Sequence, residues 1–568
     1  IDNIRCVNVA FFPFNPESYS FNGNLYVAID HNFAIKRADL SIPRNLNINF
    51  LENLRIIQHF NLQPNGTWTN EKEDIYANFA MTDFLTKVYA HQVRSYRYDE
   101  ERDTGLADAP SEIPAEGHDT LFWQSHRHIA LKRVESTLPA LMDELQNVPA
   151  YRGFEKFLET IITGYIKTAN ERKTKSKVDI GQIWAFYGNN PIEGTRLRLG
   201  AMTTAHLHPR LFLSGYGAYG FKDRKWKYSA TASYSFVKKQ NYLHEFPRND
   251  LSFTAAYDLY SLGMQMNDDL KDNLFVALGT AGIANRSYQN RYKIHYTVDW
   301  QSGFGISAWW KHTKDTPAGT LQYRLQVKEN EWVDVPRFTL SKVGAAISYT
   351  PGMREYGANR DGRNGKINFI NDNIQLELRH EYAYRGLMGG DYAYHQSQAT
   401  VTDRIWLSSF GHIDARLSAG KVWNSVPFPM LASPEVNPSV FIEKNRFHLL
   451  QPFEFVTDEY ITLHANYFLK GWILNRIPLL NKLQWREVLT FSGYYGNLTS
   501  KNNPLETYGL FVFPASAHPM HGEVYMEGSV GVENIFKVFR VDYFRRFTHL
   551  NQPGAKKHGI KIGFRFAF

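Results

Sequence analysis

The last eleven residues of the 568-residue chain, His558-Gly559-Ile560-Lys561-Ile562-Gly563-Phe564-Arg565-Phe566-Ala567-Phe568, constrain its fold more than any other stretch. Ile560, Ile562, Phe564, Phe566 and Phe568 recur at every second position, with Lys561, Gly563, Arg565 and Ala567 between them. In a β-strand the two sets point to opposite faces, one suited to an apolar surrounding and the other to water. A strand of this pattern that ends a chain on an aromatic residue has the form of the closing strand of a transmembrane β-barrel.

The alternation recurs from residue 178 onwards. Trp226, Tyr228, Ala230, Ala232, Tyr234 and Phe236 alternate with Lys227, Ser229, Thr231, Ser233 and Ser235. Ile413, Ala415, Leu417 and Ala419 alternate with Asp414, Arg416 and Ser418, and Val524, Met526, Val530 and Val532 stand against Glu523, Tyr525, Glu527 and Ser529. Strands in soluble sandwiches run to about 5 to 6 residues, whereas many of these segments reach about 10, enough to cross a bilayer at a barrel's tilt. Tight turns (222–225, Gly411, 535–537) and long connections (263–274, 351–366, 424–448, 498–521) form two populations, as in a barrel with short turns at one end and long loops at the other. The expected fold class is all-β: a transmembrane antiparallel β-barrel of about 14 to 16 strands, even numbers being the bacterial rule. Both ends of the barrel are expected on the periplasmic side.

Composition agrees. Aromatic residues make up 15% of the chain, which suits girdles of Tyr and Trp at the membrane interfaces. Mean hydropathy is −0.42, and no run of about 18 apolar residues occurs, so helical membrane spans are excluded. The formal net charge is +8, but the basic residues are dispersed. Their densest run outside a strand, Arg172, Lys173, Lys175 and Lys177, reads as a solvated or headgroup-facing segment rather than a nucleic-acid site. The single cysteine, Cys6, rules out an internal disulfide and a multi-cysteine metal site. A first residue other than Met implies numbering from within a mature protein, so a missing signal peptide does not weigh against export.

Residues 1–98 read as a small antiparallel β-domain without membrane-length strands. Its candidate strands are 25–29, 33–42, 54–60 and 68–79, and Gln63-Pro64-Asn65-Gly66 makes a hairpin turn because Asn-Gly supplies positive φ. Residues 99–177 combine an acidic, Pro-broken linker (99–117) with two amphipathic helices. One spans 134–147 with Leu138, Leu141, Met142 and Leu145 on one face, the other 154–166 with Phe154, Phe157, Leu158, Ile161 and Ile162. They suit packing on the β-domain or the barrel rim, or a membrane surface. The barrel occupies 178–568.

Candidate functional residues lie on the inferred inner face: Arg196, Arg198, Gln375, Glu377, Arg379, Glu381, Asp414, Arg416, Arg540, Asp542, Lys561 and Arg565. Their mixed signs suit an interior held by ion pairs, more than a pore lined by one sign of charge. Residues 377–395 are the least ordinary segment. Arg385, Gly386, Gly389, Gly390 and Asp391 form either a plain glycine-rich turn or a loop folded into the lumen, where glycines let backbone approach backbone. His206 with His208, and His126 with His128, have a spacing that can serve a metal but no third ligand. No nucleophile elbow, zinc-protease or nucleotide-binding pattern is present. No catalytic residue, metal or cofactor is therefore assigned.

Several stretches carry a family resemblance: Tyr187-Gly188-Asn189-Asn190-Pro191-Ile192-Glu193-Gly194-Thr195-Arg196-Leu197-Arg198-Leu199-Gly200, Tyr219-Gly220-Phe221-Lys222-Asp223, Gly389-Gly390-Asp391-Tyr392-Ala393-Tyr394-His395, Leu483-Gln484-Trp485-Arg486-Glu487 and the run from Gly531 to Asp542. On these the chain resembles an uncharacterised Bacteroidota outer-membrane barrel family usually found behind a carboxypeptidase-regulatory-like β-sandwich, itself distantly similar to the BamA and TamA assembly superfamily. The resemblance implies an upstream sandwich preceding Ile1 and a correspondence of Arg385-Gly386 with that superfamily's inward loop, although Tyr384-Arg385-Gly386-Leu387 ends without its usual aromatic. It further implies a non-catalytic protein of the outer membrane of a Gram-negative bacterium with its N-terminal domain in the periplasm. Such a protein acts in envelope biogenesis, as a BamA-like barrel or an accessory subunit of an assembly or export complex. A channel for a small solute and a scaffold subunit are the alternatives. Expected partners are outer-membrane lipid and other envelope proteins, met through the periplasmic domain and the long extracellular loops, and not nucleic acid.

Overall fold

The computed structural model describes the chain except residues 14–19, 30–32, 43–50, 80–87, most of 97–146, 170–174, 263–284, 301, 330, 352–372 and 566–568. The 99–117 linker, the 134–147 helix, His126, His128, Arg172 and Lys173 of the basic run, the long connections at 263–274 and 351–366, Phe566 and Phe568 lie wholly or largely outside the described residues.

One unit holds a six-stranded antiparallel sheet in sequence order: β1 (Cys6–Phe11), β2 (Asn22–Ala28), β3 (Ile35–Ser41), β4 (Leu51–Leu62), β5 (Trp68–Phe79) and β6 (Val88–Ser95). The β4–β5 hairpin turns at Asn65-Gly66, where Gly66 takes φ +83° and Asn65 Oδ1 accepts the Thr67 N–H at 3.0 Å. Contrary to the expectation of short strands, β4 and β5 run to 12 residues each. The tight turn fixes their register, and the ladder continues through two small bulges. Between β3 and β4, Arg55 donates to both carboxylate oxygens of Asp39 at 2.8 and 2.6 Å.

The described α-helix, α1 (Pro149–Thr163), begins at a proline, whose missing N–H costs nothing in the first turn. It ends three residues before the expected Ile166, because Gly164 adopts φ +75° and turns the chain into β7 (Tyr165–Lys167).

The second unit is a closed antiparallel barrel. After β7 come β8 (Val178–Gly181), β9 (Tyr187–Asn190), β10 (Gly194–Thr203), β11 (Leu211–Gly220), β12 (Lys225–Ser235), β13 (Arg248–Ser261), β14 (Arg286–Asp299) and β15 (Phe304–Ala318). A hairpin, β16 (Arg324–Lys328) with β17 (Glu331–Asp334), separates these from β18 (Phe338–Tyr349), β19 (Gln375–Ala383), β20 (Tyr394–Trp406) and β21 (His412–Val422). The two-residue strand β22 (Phe455–Val456) precedes β23 (Glu459–Phe468) and β24 (Arg486–Asn497). It pairs in parallel with β25 (His518–Pro519), after which β26 (His521–Ile535), β27 (Phe539–Arg546) and β28 (His558–Phe564) complete the wall.

Eighteen strand segments close the ring, more than the 14 to 16 expected. The excess arises where the barrel begins. β8 and β9 both pair with β10, β8 along residues 201–203 and β9 along 194–197, so together they fill one place. A 3₁₀ turn at Ile183–Ala185 breaks that first strand. β7 adds a three-residue segment that pairs with β8 on one side and stands next to β28 in the ring.

Alternation of direction assigns each connection to an end. The start of β8 and the end of β28 share one end with the connections 204–210, 236–247, 300–303, 350–374, 407–411, 469–485 and 536–538. The opposite end carries 262–285, 319–337, 384–393, 423–458, 498–520 and 547–557. The two populations of turn therefore separate largely as expected, with two corrections. The tight turn at 222–225 belongs to the long-loop end, and the long connection containing 351–366 to the other.

Side chains follow the pleat. On β12 Trp226, Tyr228, Ala230, Ala232 and Tyr234 are exposed, while Lys227, Ser229, Thr231, Ser233 and Ser235 are buried or half-buried. Exposed aliphatic side chains recur on the outer face around the wall: Leu199 on β10 is 65% exposed, Leu378 on β19 63%, Val530 on β26 65% and Ile560 on β28 67%.

The apolar core lies inside the barrel at the long-loop end. One cluster joins wall residues Leu340, Ala383, Tyr394 and Val422 to Leu321, Tyr323, Val426, Phe428, Met430, Phe453, Phe511 and Ala517 from the connections. Leu262 after β13 and Leu498 after β24 belong to it too, and those strands stand eight places apart in the ring, so the cluster spans the lumen. A second cluster sets Val436, Phe447, Leu450 and Phe455 against Tyr494 and Tyr525 of the wall.

Candidate functional site

Many of the inward charges pair, as their mixed signs imply. At the long-loop end Arg196, 1% exposed, donates to both oxygens of Asp258 at 2.7 and 2.9 Å and to Glu193 Oε1 at 2.9 Å. Lys227 Nζ lies 2.7 Å from Glu193 and 2.6 Å from Asp223. The phenols of Tyr216 and Tyr288 donate to Asp258 and Asp223 at 2.5 and 2.7 Å, and the Arg198 guanidinium sits 3.6 Å from the Tyr216 ring centre. Three cations thus face three carboxylates, and every carboxylate is engaged. Further round the wall Arg379 contacts Glu381 at 2.5 Å, Arg404 contacts Asp414 at 2.6 Å, and Arg540 forks onto Asp542 at 2.7 and 2.6 Å. Such knots fix strand register more than they select a solute.

A polar chamber of about 510 Å³ remains on the inner face of β13 to β19. Arg248, Arg291, Lys293, Lys311 and Arg379 line it with Asp299, Glu377 and Glu381.

Across from that chamber, the connection 423–458 enters the lumen and is anchored there by the last three strands of the wall. Glu527 of β26 accepts the backbone N–H groups of His448 and Leu449 at 2.7 and 3.1 Å and the Tyr525 hydroxyl at 2.7 Å. Arg546 of β27 reaches Glu454 at 2.8 Å, and His448 stacks on Phe544 with ring centres 4.3 Å apart. Lys561 of β28 donates to the carbonyls of Asn437 and Ser439. On the far side Lys444 lies 3.3 Å from Asp414 of β21.

The residues singled out from the sequence divide. Arg385, Gly386, Gly389, Gly390 and Asp391 come together in a turn between β19 and β20, most of it exposed. Arg385 Nε donates to the Asp391 carbonyl at 3.1 Å, closing its own turn, and the Thr339 N–H donates to Asp391 Oδ2 at 2.6 Å. Gly386 and Gly389 supply φ of +86° and +81°. This geometry has the form of a glycine-rich turn, and the connection whose contacts reach the inner faces of β26 to β28 is 423–458. Ile560, Ile562 and Phe564 face outward on β28, where the ring closes. His206 and His208 lie in the 204–210 turn, where His208 Nδ1 accepts the Leu211 N–H at 2.9 Å. Among the described residues no group of three or more His, Cys, Asp or Glu is placed to hold a metal.

Sequence reasoning missed the internal loop. Its signal was present: Val426, Phe428, Met430, Leu431, Val436, Val440, Phe441, Ile442, Phe447, Leu449 and Leu450 are too apolar for a connection that faces only water.

Residues 284–506 match the C-terminal domain of a family of unknown function, DUF5686. The match covers less than half of the chain. No curated protein matches. Among solved structures, BamA from Haemophilus ducreyi lacking POTRA domains 1–3 is similar at 9% identity over 68% of this chain and 69% of that one, with a TM-score of 0.39. OccK11 (OpdR) from Pseudomonas aeruginosa is similar at 11% identity over 66% and 90%, with a TM-score of 0.25. Superpositions this loose transfer no role.

Proposed function

We propose that this chain is a non-catalytic outer-membrane β-barrel protein of envelope biogenesis, a BamA-like barrel or an accessory subunit of an assembly or export complex. Membrane residence is supported by the outer face: exposed Leu, Ile, Val and Phe around a closed wall would be insoluble in water and are matched to lipid. On this reading the end where β8 starts and β28 finishes is periplasmic, and β1 to β6 form a periplasmic module. Partners are outer-membrane lipid and envelope proteins met by that module and by the loops at the other end.

The observation that carries the biogenesis reading over a pore is the apolar core that fills part of the lumen at the long-loop end. Depletion in the native bacterium should lower the amounts of other barrels or surface lipoproteins, and unchanged levels of both would refute the reading. A second reading, a solute channel, draws on the polar chamber beside β13 to β19. Planar bilayers decide between them: discrete conductance steps support the channel, and silence supports the closed barrel.

A further inference from the structure

The connection 469–485, between β23 and β24, has an unusual composition for a turn. Lys470, Arg476 and Lys482 are its charged residues, and it contains no Asp or Glu. Trp472 and Trp485 stand near its two ends. Between them Ile473, Ile477, Leu479 and Leu483 are all exposed, Leu479 to 78%. Aliphatic side chains presented outward, framed by tryptophans and cations and free of acids, make up the pattern of a segment that lies in a membrane interface.

The geometry puts this segment on the outside of the wall. On β24 Tyr494 belongs to the inner core, so by the pleat Glu487, Leu489 and Phe491 face outward, and Leu489 and Phe491 are exposed. Glu487, on that same outer face, is nevertheless buried. The connection covers it: the Ile473 N–H donates to Glu487 Oε1 at 2.8 Å, and the Leu474 N–H donates to the same oxygen. A carboxylate on a lipid-facing wall needs such cover. The segment is also held in shape. It makes 3₁₀ turns at Leu474–Arg476 and Asn481–Leu483, and Trp472 packs edge-on against Phe410 of the 407–411 turn with ring centres 5.3 Å apart. The Arg476 guanidinium lies 5.1 Å from the Trp472 ring centre, and Arg476 and Lys482 are exposed.

We infer that residues 469–485 form a lipid-binding platform at the foot of β23 and β24, with Ile473, Ile477, Leu479 and Leu483 in the acyl region of the adjoining leaflet and Arg476 and Lys482 on the phosphates of anionic phospholipid. Charge complementarity selects the ligand, because cations without a neighbouring acid in the segment attract anionic headgroups. Continuity selects the membrane, because the platform adjoins the lipid-facing Leu489 and Phe491. The inference rests on the membrane residence proposed above, and on that reading the leaflet is the periplasmic one.

The test uses the full chain, in a Cys6→Ser background, reconstituted into vesicles of equal parts phosphatidylcholine and phosphatidylglycerol. A bimane fluorophore is attached to Leu479→Cys on the platform or, as a control, to Leu378→Cys on the outer wall, both exposed positions at which the label should leave the fold intact. Lipids carrying a nitroxide high on the acyl chain should quench the Leu479 probe, and lipids carrying it midway along the chain should quench the Leu378 probe. A quenched Leu378 probe with an unquenched Leu479 probe overturns the platform, leaves membrane residence standing and gives the surface to a protein partner instead. Two unquenched probes overturn the platform together with the membrane reading beneath it. Headgroup choice is read with the nitroxide placed on one lipid at a time. Labelled phosphatidylglycerol should quench the Leu479 probe roughly threefold more than labelled phosphatidylcholine at equal mole fraction. Arg476→Gln with Lys482→Gln should bring that ratio to about one, while the Leu378 probe stays near one throughout. Equal quenching of the Leu479 probe by the two lipids in the otherwise unchanged chain, or a ratio unmoved by the double substitution, overturns the phosphate site.

Discussion

Glu527→Ala should free the internal loop without unfolding the barrel. The Glu527 side chain is buried, and its two oxygens accept three bonds: Oε1 from the His448 N–H, Oε2 from the Leu449 N–H and the Tyr525 hydroxyl. Truncation leaves those three donors without an acceptor, and each buried unsatisfied donor costs about 1 to 3 kcal/mol. Allowing for relaxation toward water, about 3 to 6 kcal/mol of loop anchoring is lost. At about 1.4 kcal/mol per factor of ten, amide protection of residues 435–454 should fall by roughly two to four orders of magnitude. The wall is held by its own ladders, on which Glu527 pairs through the backbone with Ser492, so the strands keep their protection. Glu527→Gln keeps one acceptor oxygen and sets an NH₂ against the remaining donors, so its effect should be intermediate. Exchange mass spectrometry of wild-type and both variants in detergent is the assay. Wild-type protection of 435–454 in Glu527→Ala would refute the anchoring role, and uniform loss over β18 to β28 would refute the separation of loop from wall.

Three further outcomes are expected. Arg196→Met leaves Glu193 and Asp258 buried without their shared cation and should cost about 3 to 5 kcal/mol, read as a lower unfolding temperature, with little rescue in Arg196→Lys because the fork onto Asp258 is lost. Gly531→Val should abolish the folded, heat-modifiable band on gels, because even a Cβ at Gly531 would stand 2.1 Å from Asp542 Oδ1, inside the Arg540–Asp542 knot. Arg385→Ala should change unfolding free energy by no more than about 0.5 kcal/mol, since its bond closes an exposed turn; a drop above about 2 kcal/mol would restore it as a lumen residue.

The wall was legible in the sequence because each strand declares itself locally. Trp226 and Lys227 need opposite surroundings whatever the rest of the chain does, and the pleat supplies them. The first strand was not legible as two pieces. Residues 181–186 stand opposite only 198–200 of β10, a bulge whose extra residues are accommodated by the Ile183–Ala185 turn and by the Arg198 N–H donating to the Phe186 carbonyl at 2.9 Å. Nothing in Gln182-Ile183-Trp184-Ala185-Phe186 forbids a continuous strand. The candidate site was least legible. Arg385-Gly386 has the composition of a close-packed loop, and Gly386 and Gly389 take positive φ in the turn between β19 and β20. The segment that packs is 423–458, whose apolar residues follow neither strand nor helix period because wall strands on several sides dictate their contacts.

The apolar core within the lumen also joins segments far apart in the chain. Its members run from Leu262 to Ala517, and they meet only when β13 has curved round to face β24. A water-soluble domain gathers its oily residues early and arranges its sheet around them. Here the core joins segments so distant in sequence that loop-closure entropy opposes their meeting before the intervening strands have paired. The core is thus enclosed by the wall whose strands it ties together, on the side away from the exposed Leu199, Leu378 and Val530.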